Sequence, residues 1–287
     1  MSVERLLVAV PPTALVLTGV VSVQIGGAIA KQLFVLTSPI GVVTLRLVFA
    51  GLILVVLWRP RIRLNARALG VVLAFGAVLG VMNLSIYLAF ARIPLGMAVT
   101  IEFLGPLLVA IVGSRRWSDA LWAVLAGAGV VLLTESGGST VDWVGVAFAG
   151  LAGACWAGYI LLGARLGRHT PGGSGLALAT GFAALAIAPF GVAESGADLF
   201  SLPLLLLGAG VAVLSSVVPY SLEIEALRRM PAQVFGVLMS SEPAVAALAG
   251  LVVLGELLSP AQWLAVGCVV AASIGATRST RNQARDL

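Results

Sequence analysis

Charge is what this sequence has least of. Lys, Arg, Asp and Glu supply only 10% of the 287 residues, while 60% are hydrophobic; a soluble domain carries about 25% charged residues. A soluble fold of this length is excluded, because its surface would need more polar cover than the chain can provide. Histidine occurs once and cysteine twice, which leaves little for a metal site. His169 stands between Arg168 and Thr170 with no second histidine at ligand spacing. Cys155 and Cys268 lie in separate apolar runs and read as buried apolar residues. A Walker A sequence is missing, and Gly208-Ala209-Gly210 lacks the third glycine of a dinucleotide loop. No cofactor is therefore expected, and any active transport would draw on an ion gradient or on the solute's own. The formal charge of +5 is spread over short clusters between apolar runs, not along one stripe, which argues against a nucleic-acid partner.

What the chain has in abundance is long apolar runs. Ten of them approach the roughly 20 residues that a helix needs to cross a hydrocarbon core about 30 Å thick: 12–30, 39–58, 68–90, 95–113, 119–134, 143–163, 176–193, 203–222, 232–254 and 261–277. The connections are short and rich in Arg, Pro, Gly, Ser and Asp. The expected fold is an all-α integral membrane protein of ten transmembrane helices, multi-pass and without a soluble domain. Runs shorter than the ideal suit a crowded bundle of tilted helices. Small residues at every fourth position, Gly150/Ala154/Gly158 and Gly267/Ala271/Gly275, predict close helix approach. Ala28-Ile29-Ala30 resembles a signal-peptide cleavage site, but the flank holding Glu4 and Arg5 is only weakly basic. The first run is expected to be retained as a span.

Basic residues orient the bundle. With the N-terminus inside, 14 Lys and Arg fall in inside segments and two, Lys31 and Arg92, in outside ones, leaving Arg46 within the second run. Such asymmetry places both termini in the cytoplasm and requires an even number of spans. The chain also repeats itself. Residues 91–94 open the fourth run and 228–231 the ninth; twelve residues beyond Pro94 and Pro231 come Pro106 and Pro243. Further on, Ser118 to Trp122 matches Ser259 to Trp263. The halves are 1–140 and 141–287, with five spans each. Five is odd, so the second half enters the membrane inverted. Inverted repeats recur among secondary transporters, with the substrate site near the midplane between them. Pro94, Pro106, Pro231 and Pro243 are structural residues of that plan.

Ionisable groups at membrane depth cost several kcal/mol unless paired or solvated. Arg46, Glu102 and Glu242 are of this kind. The two glutamates lie near the middle of the fourth and ninth runs, Glu102 four residues before Pro106 and Glu242 immediately before Pro243. A proline removes one backbone donor and frees a carbonyl one turn back, which is tolerated at that depth only where protein or trapped water satisfies it. A carboxylate beside such a break suits a cation or proton site, and equally a structural carboxylate paired with Arg46 or a hydroxyl. Arg46 could bind a substrate carboxylate; the structural role, holding the bundle together against a glutamate, is the preferred expectation. Further polar, aromatic and thioether side chains inside the runs, candidates for a cavity lining, are Gln24, Asn83, Tyr87, Trp156, Tyr159, Ser216, Tyr220, Met239 and Ser240. Asn83 and Tyr220 each precede a paired proline by eleven residues. Glu223 and Glu225, beside Arg228 and Arg229, read as a solvated, locally paired cluster.

Seven stretches together carry a family resemblance: 22–28 (SVQIGGA), 44–47 (TLRL), 94–106 (PLGMAVTIEFLGP), 153–161 (GACWAGYIL), 219–223 (PYSLE), 235–243 (FGVLMSSEP) and 254–256 (LGE). In that order, over nearly the whole chain, the sequence resembles the EamA-type branch of the drug/metabolite transporter superfamily, and within it the bacterial inner-membrane exporters of threonine and homoserine. The resemblance implies two inverted EamA repeats, location in the bacterial cytoplasmic membrane, and export of small amino acids and related amines by exchange with protons. It also implies that Asn83, Tyr87, Glu102, Tyr220, Met239 and Glu242 face the substrate, with Glu102 and Glu242 as candidate proton carriers. Glu225 departs from the pattern, which favours an apolar residue there. The expected partners are a small amino-acid substrate, the lipid bilayer and protons, with monomer and homodimer both open. Efflux of another small metabolite or drug on the same scaffold is the alternative. A membrane-embedded enzyme would need a nucleophile or metal near one interface, whereas these carboxylates lie near the midplane. A passive channel would not need two mid-membrane glutamates.

Overall fold

The computed structural model describes residues 10–60, 65–112, 118–135, 142–170 and 173–283, and among these there is no strand. Glu4, Arg5, Arg61, Arg63, Arg115, Arg116 and Arg285, all weighed in the sequence reading, lie outside the described residues. The first five apolar runs hold α1 (Pro12–Gln32), α2 (Pro39–Trp58), α3 (Ala66–Phe90), the pair α4 (Leu95–Glu102) and α5 (Leu104–Val112), and α6 (Ser118–Glu135). Then come α7 (Trp143–His169), α8 (Ser174–Ser195), the pair α9 (Leu202–Ala212) and α10 (Val218–Arg229) joined by a π turn at Val213–Val217, the pair α11 (Ala232–Met239) and α12 (Glu242–Leu254), and α13 (Pro260–Gln283).

Among the described residues, nine stretches are long and apolar enough to cross a membrane, and they coincide with nine of the ten expected runs. At the remaining run, 119–134, the apolar helix Leu121–Leu133 is shorter. Several helices outrun their expected bounds: α7 continues to His169 and α10 to Arg229. Apolarity marks where lipid requires it, whereas the backbone ladder continues into the polar ends. There the cations Arg168, Arg228 and Arg229 sit in last turns, where the helix dipole favours positive charge.

Local chemistry sets the starts. Pro12 and Pro39 occupy first-turn positions that need no backbone donor. Ser38 Oγ accepts from Gly41 N at 3.0 Å and Asn65 Oδ1 from Ala68 N at 2.8 Å. Asp142 accepts from Val144 N at 2.9 Å and Gly145 N at 3.1 Å and pairs with Arg92 at 3.2 Å. The Gly145 donor first, and Arg92 with it, hold the Asp142 carboxyl below its ordinary range.

Helices pair closely because their facing residues are small. The tightest approach is α4 and α5 against α7: a methyl added at Gly153 would stand 2.7 Å from the Glu102 carbonyl oxygen, and one at Gly105 would overlap the Gly153 carbonyl. Likewise α4 meets α12, where a methyl at Gly96 would stand 2.6 Å from Ala247 Cα. The expected small-residue stripes are only partly the packing faces. Gly150 and Gly267 have open space beside them, whereas the indole of Trp122 fills the space beside Gly275. Residue spacing finds a helix face, but which face meets a neighbour depends on how the bundle rotates each helix. Cys155 and Cys268 are half-buried, not fully buried as expected. The outward surface is apolar, with Val56 and Val252 at 72% and 80% exposure.

Substitution of Gly105 by Ala is expected to push α5 off α7, an overpacking cost of about 1–3 kcal/mol. The melting temperature in detergent should fall by several degrees for this variant and stay unchanged for Gly150→Ala; equal melting of the two would refute the close approach.

Candidate functional site

Three prolines inside the bundle shape the site. Pro106 cannot donate to the Glu102 carbonyl, so the fourth apolar run breaks at Phe103 and Glu102 ends α4. Pro243 cannot donate to Met239, so the ninth breaks at Ser240 and Ser241, and Glu242 begins α12. Hydroxyls absorb much of the backbone polarity near the breaks: Thr100 donates to Gly96 O at 2.6 Å, Ser240 to Gly236 O at 2.9 Å and Ser241 to Leu238 O at 2.7 Å. Pro219 has a different effect. The chain ahead of it widens into the π turn, leaving the Leu214 and Ser215 carbonyls to seek partners elsewhere. Ser22 Oγ of α1 donates to Leu214 O at 2.7 Å, and Arg46 Nη2 of α2 donates to Ser215 O at 3.0 Å.

Between these elements lies a cavity of about 670 Å³, a size typical of small-molecule sites. Gln24, Arg46, Asn83 and Glu102 line it from the first half of the chain; Trp156, Tyr159, Tyr220, Met239 and Glu242 line it from the second, and Pro106 contributes at the break. Asn83 also donates to Leu79 O of its own helix at 2.8 Å, and the Trp156 ring meets Phe103 edge-on at 5.6 Å.

Three expected lining residues stand behind the wall instead. Tyr87 is fully buried, and its hydroxyl accepts from Arg46 Nη1 at 3.3 Å. Ser216 Oγ accepts from Arg46 Nε at 3.2 Å. Ser240 shares a 2.7 Å hydrogen bond with Ser273, and it is Ser273 that faces the cavity. Pro94 and Pro231 sit just ahead of α4 and α11, and Pro243 lies in the first turn of α12.

Contrary to the structural expectation, Arg46 pairs with no glutamate among the described residues. Its three partners are neutral, one on α3 and two on the π turn. Glu102 and Glu242, 9% and 5% exposed, have no hydrogen bond or ion pair among the described residues. Glu223 was read as part of the cluster beside Arg228, but the pairs seen there are those of Glu225, at 3.7 Å to Arg228 and 3.9 Å to Arg229. Glu223 faces the cavity. Sequence reasoning missed it, along with Ser215, Ser273 and Thr277. The position of Pro219 four residues ahead of Glu223 was the available signal.

The ends of α1 and α12 and the start of α4 are tied together. Lys31 Nζ lies 2.7 Å from Glu256 Oε1 and donates to Ile93 O at 2.8 Å; Glu256 Oε2 accepts from Leu95 N at 2.7 Å. Gln32 adds a bond to Val253 O at 2.9 Å. None of these groups reaches the cavity wall. The wall itself runs out to Leu176, Leu227, Phe235 and Thr277.

The family model described as the EamA-like transporter family matches residues 143–278. The threonine/homoserine exporter RhtA of Escherichia coli (strain K12) is 44% identical over 278 residues, 96% of this chain and 94% of its own. The protein of the same name from Salmonella typhimurium (strain LT2) is 44% identical over 276 residues, 95% of this chain and 93% of its own. One crystal structure, 18% identical in sequence, superposes with a TM-score of 0.66 over 94% of this chain and 98% of its own, a likeness of fold.

Replacing Tyr87 by Phe removes one of the three acceptors that hold Arg46, a bond to a charged group of the class that contributes about 1.5–3 kcal/mol. Thermal unfolding should show that loss for Tyr87→Phe and none for Tyr159→Phe, whose hydroxyl has no partner among the described residues. Equal melting temperatures would contradict the anchoring role of Tyr87.

Proposed function

The chain belongs to the EamA-like transporter family, and from that premise we propose that it is a secondary active exporter of small amino acids of the threonine and homoserine kind. It works in the bacterial cytoplasmic membrane and exchanges its substrate for protons. The observation that carries this reading is the cavity itself: a small-solute volume whose wall joins unpaired carboxyl groups at two helix breaks with one buried arginine. The 44% identical relatives bearing the name of threonine/homoserine exporter support the choice of substrate.

The proposed architecture has ten spans, α6 serving as the fifth, in two inverted five-helix repeats, 1–140 and 141–287, with both termini cytoplasmic. The helix pairings support it. Exchanging the halves maps α3 packed on α7 onto α10 packed on α1. The pairs α2 with α8 and α6 with α13 each map onto themselves. The family match at 143–278 covers one proposed repeat. In that orientation the tie at Lys31 and Glu256 faces outwards, and the wall at Leu227, Phe235 and Thr277 leads to the cytoplasm. The cavity is then poised to load from inside, and alternating access requires the Lys31–Glu256 tie to part as the cytoplasmic end closes.

Gln24, Asn83, Trp156, Tyr159, Tyr220 and Met239 form the proposed substrate wall, with Tyr87, Ser216 and Ser240 supporting it from behind. Glu102 and Glu242 are the proposed proton carriers. Each sits where a broken helix exposes polar backbone, and neither is committed to another side chain among the described residues. A carboxylate that holds the substrate's ammonium cannot hold a proton at the same time, and that competition yields exchange.

Purified protein in liposomes preloaded with labelled threonine or homoserine should release label faster when an inward proton gradient is imposed. Release no faster than from empty-membrane controls, together with release of some other amine, would replace the substrate assignment. Glu102→Gln or Glu242→Gln should remove the dependence on the gradient, at least one of them completely. If both single variants keep full, pH-dependent release, neither glutamate couples protons.

A further inference from the structure

Within the cavity wall the charged groups are unevenly matched. Among the described residues Arg46 is the single cation, and Glu102, Glu223 and Glu242 are the carboxyl groups. A buried structural arginine is ordinarily neutralised by a carboxylate, since a lone charge out of water is expensive. Three carboxyl groups line the same cavity, yet none lies within ion-pair distance of Arg46 among the described residues. The side chain is instead held by neutral oxygens: Ser216 Oγ at 3.2 Å, Tyr87 Oη at 3.3 Å and the Ser215 carbonyl at 3.0 Å.

A guanidinium has five N–H donors in a planar fork. The three bonds use Nε–H and one donor on each terminal nitrogen. Two donors remain, one on each terminal nitrogen. Free donors of this kind are what a carboxylate accepts from. The three anchors fix the plane of the guanidinium without cancelling its charge. Arg46 is only 8% exposed and lines the cavity, so what exposure it has faces the site. Its anchors come from α3 and from the π turn before Pro219, which ties the orientation of the cation to two different crossings.

We propose that Arg46 is the carboxylate anchor of the substrate, and that the substrate class is the α-amino acid zwitterion, with its ammonium directed to Glu102. This rests on the transport reading above and deepens it. Arg46 and Glu102 line the same cavity without pairing with each other among the described residues, so one small molecule carrying both signs can engage both. The transporter then selects amino acids over amines of the same shape. An alcohol or ester in place of the carboxylate leaves the two free Arg46 donors without a charged acceptor.

The experiment is competition for uptake of labelled threonine by protein-containing liposomes preloaded with unlabelled threonine. The competitors are threonine, threoninol and threonine methyl ester. In the wild type, threoninol and the ester should compete roughly tenfold or more weakly than threonine, the scale of a lost charge-assisted pair. In Arg46→Gln that preference should collapse, through a rise in the KM for threonine with little change for threoninol. Arg46→Lys, which keeps the charge without the fork, should retain part of it. Stabilisation of the detergent-purified variants by threonine, read as a shift in Tm, gives a second measure and reports whether each variant is folded. If wild-type protein takes threoninol as readily as threonine, the anchor is refuted whatever the variants do. A folded Arg46→Gln that keeps the full preference refutes it too. If the wild type transports neither threonine nor homoserine, the substrate reading fails and the anchor with it; transport without discrimination sinks the anchor alone.

Discussion

Inside a bilayer, a backbone carbonyl that loses its helical partner has no water to turn to, and the interior of this protein is organised around carbonyls of that kind. Pro106, Pro219 and Pro243 each withdraw a donor from a crossing helix. At Pro219 the consequences travel furthest. The π turn at Val213–Val217 leaves Leu214 and Ser215 with outward-turned carbonyls, and these recruit Ser22 from α1 and Arg46 from α2. Two helices from the beginning of the chain are thus fastened to one from its later part. The requirement to satisfy two oxygens decides where Arg46, the cation of the cavity wall, stands.

The same breaks permit close packing. A regular helix at 95–112 would keep a ladder of side chains against α7, whereas the break allows the backbone at Glu102 and Gly105 to lie directly on Gly153. Close backbone contact excludes lipid from the carbonyl that Pro106 frees. It also brings the end of α4, and with it the Glu102 carboxyl, to the cavity. Packing and chemistry therefore depend on the same few glycines and prolines.

Polar groups beyond the cavity wall and polar groups within it are treated differently. Beyond it Lys31, Glu256 and the first backbone N–H of α4 are bonded to one another, so charge is paired and the crossings are tied. Within it, carboxyl groups and the free edge of Arg46 are left without partners among the described residues. Under the proposed reading this contrast has a use: unpaired charge where the substrate would bind, and reversible pairs where the path would be shut.

From the sequence alone came the apolar runs, the breaks at Pro106 and Pro243, and the depth of Arg46, Glu102 and Glu242. These follow from local requirements: lipid demands apolar length, and proline ends a ladder wherever it stands. Most of the proposed lining was legible for the same reason, since a polar side chain in an apolar run must turn inward. Tertiary structure alone decided which inward residues touch. Tyr87, Ser216 and Ser240 turned out to be supports, and Glu223 turned out to face the cavity. The π turn shifts every later residue of α10 around the helix by part of a turn, which local composition does not show. The partners of Arg46 are about 170 residues away on α9–α10 and 41 away on α3, and the partner of Lys31 is Glu256 at the far end of the chain. Such pairings depend on the rotation of each helix in the bundle, a property of the packed whole and not of any one segment.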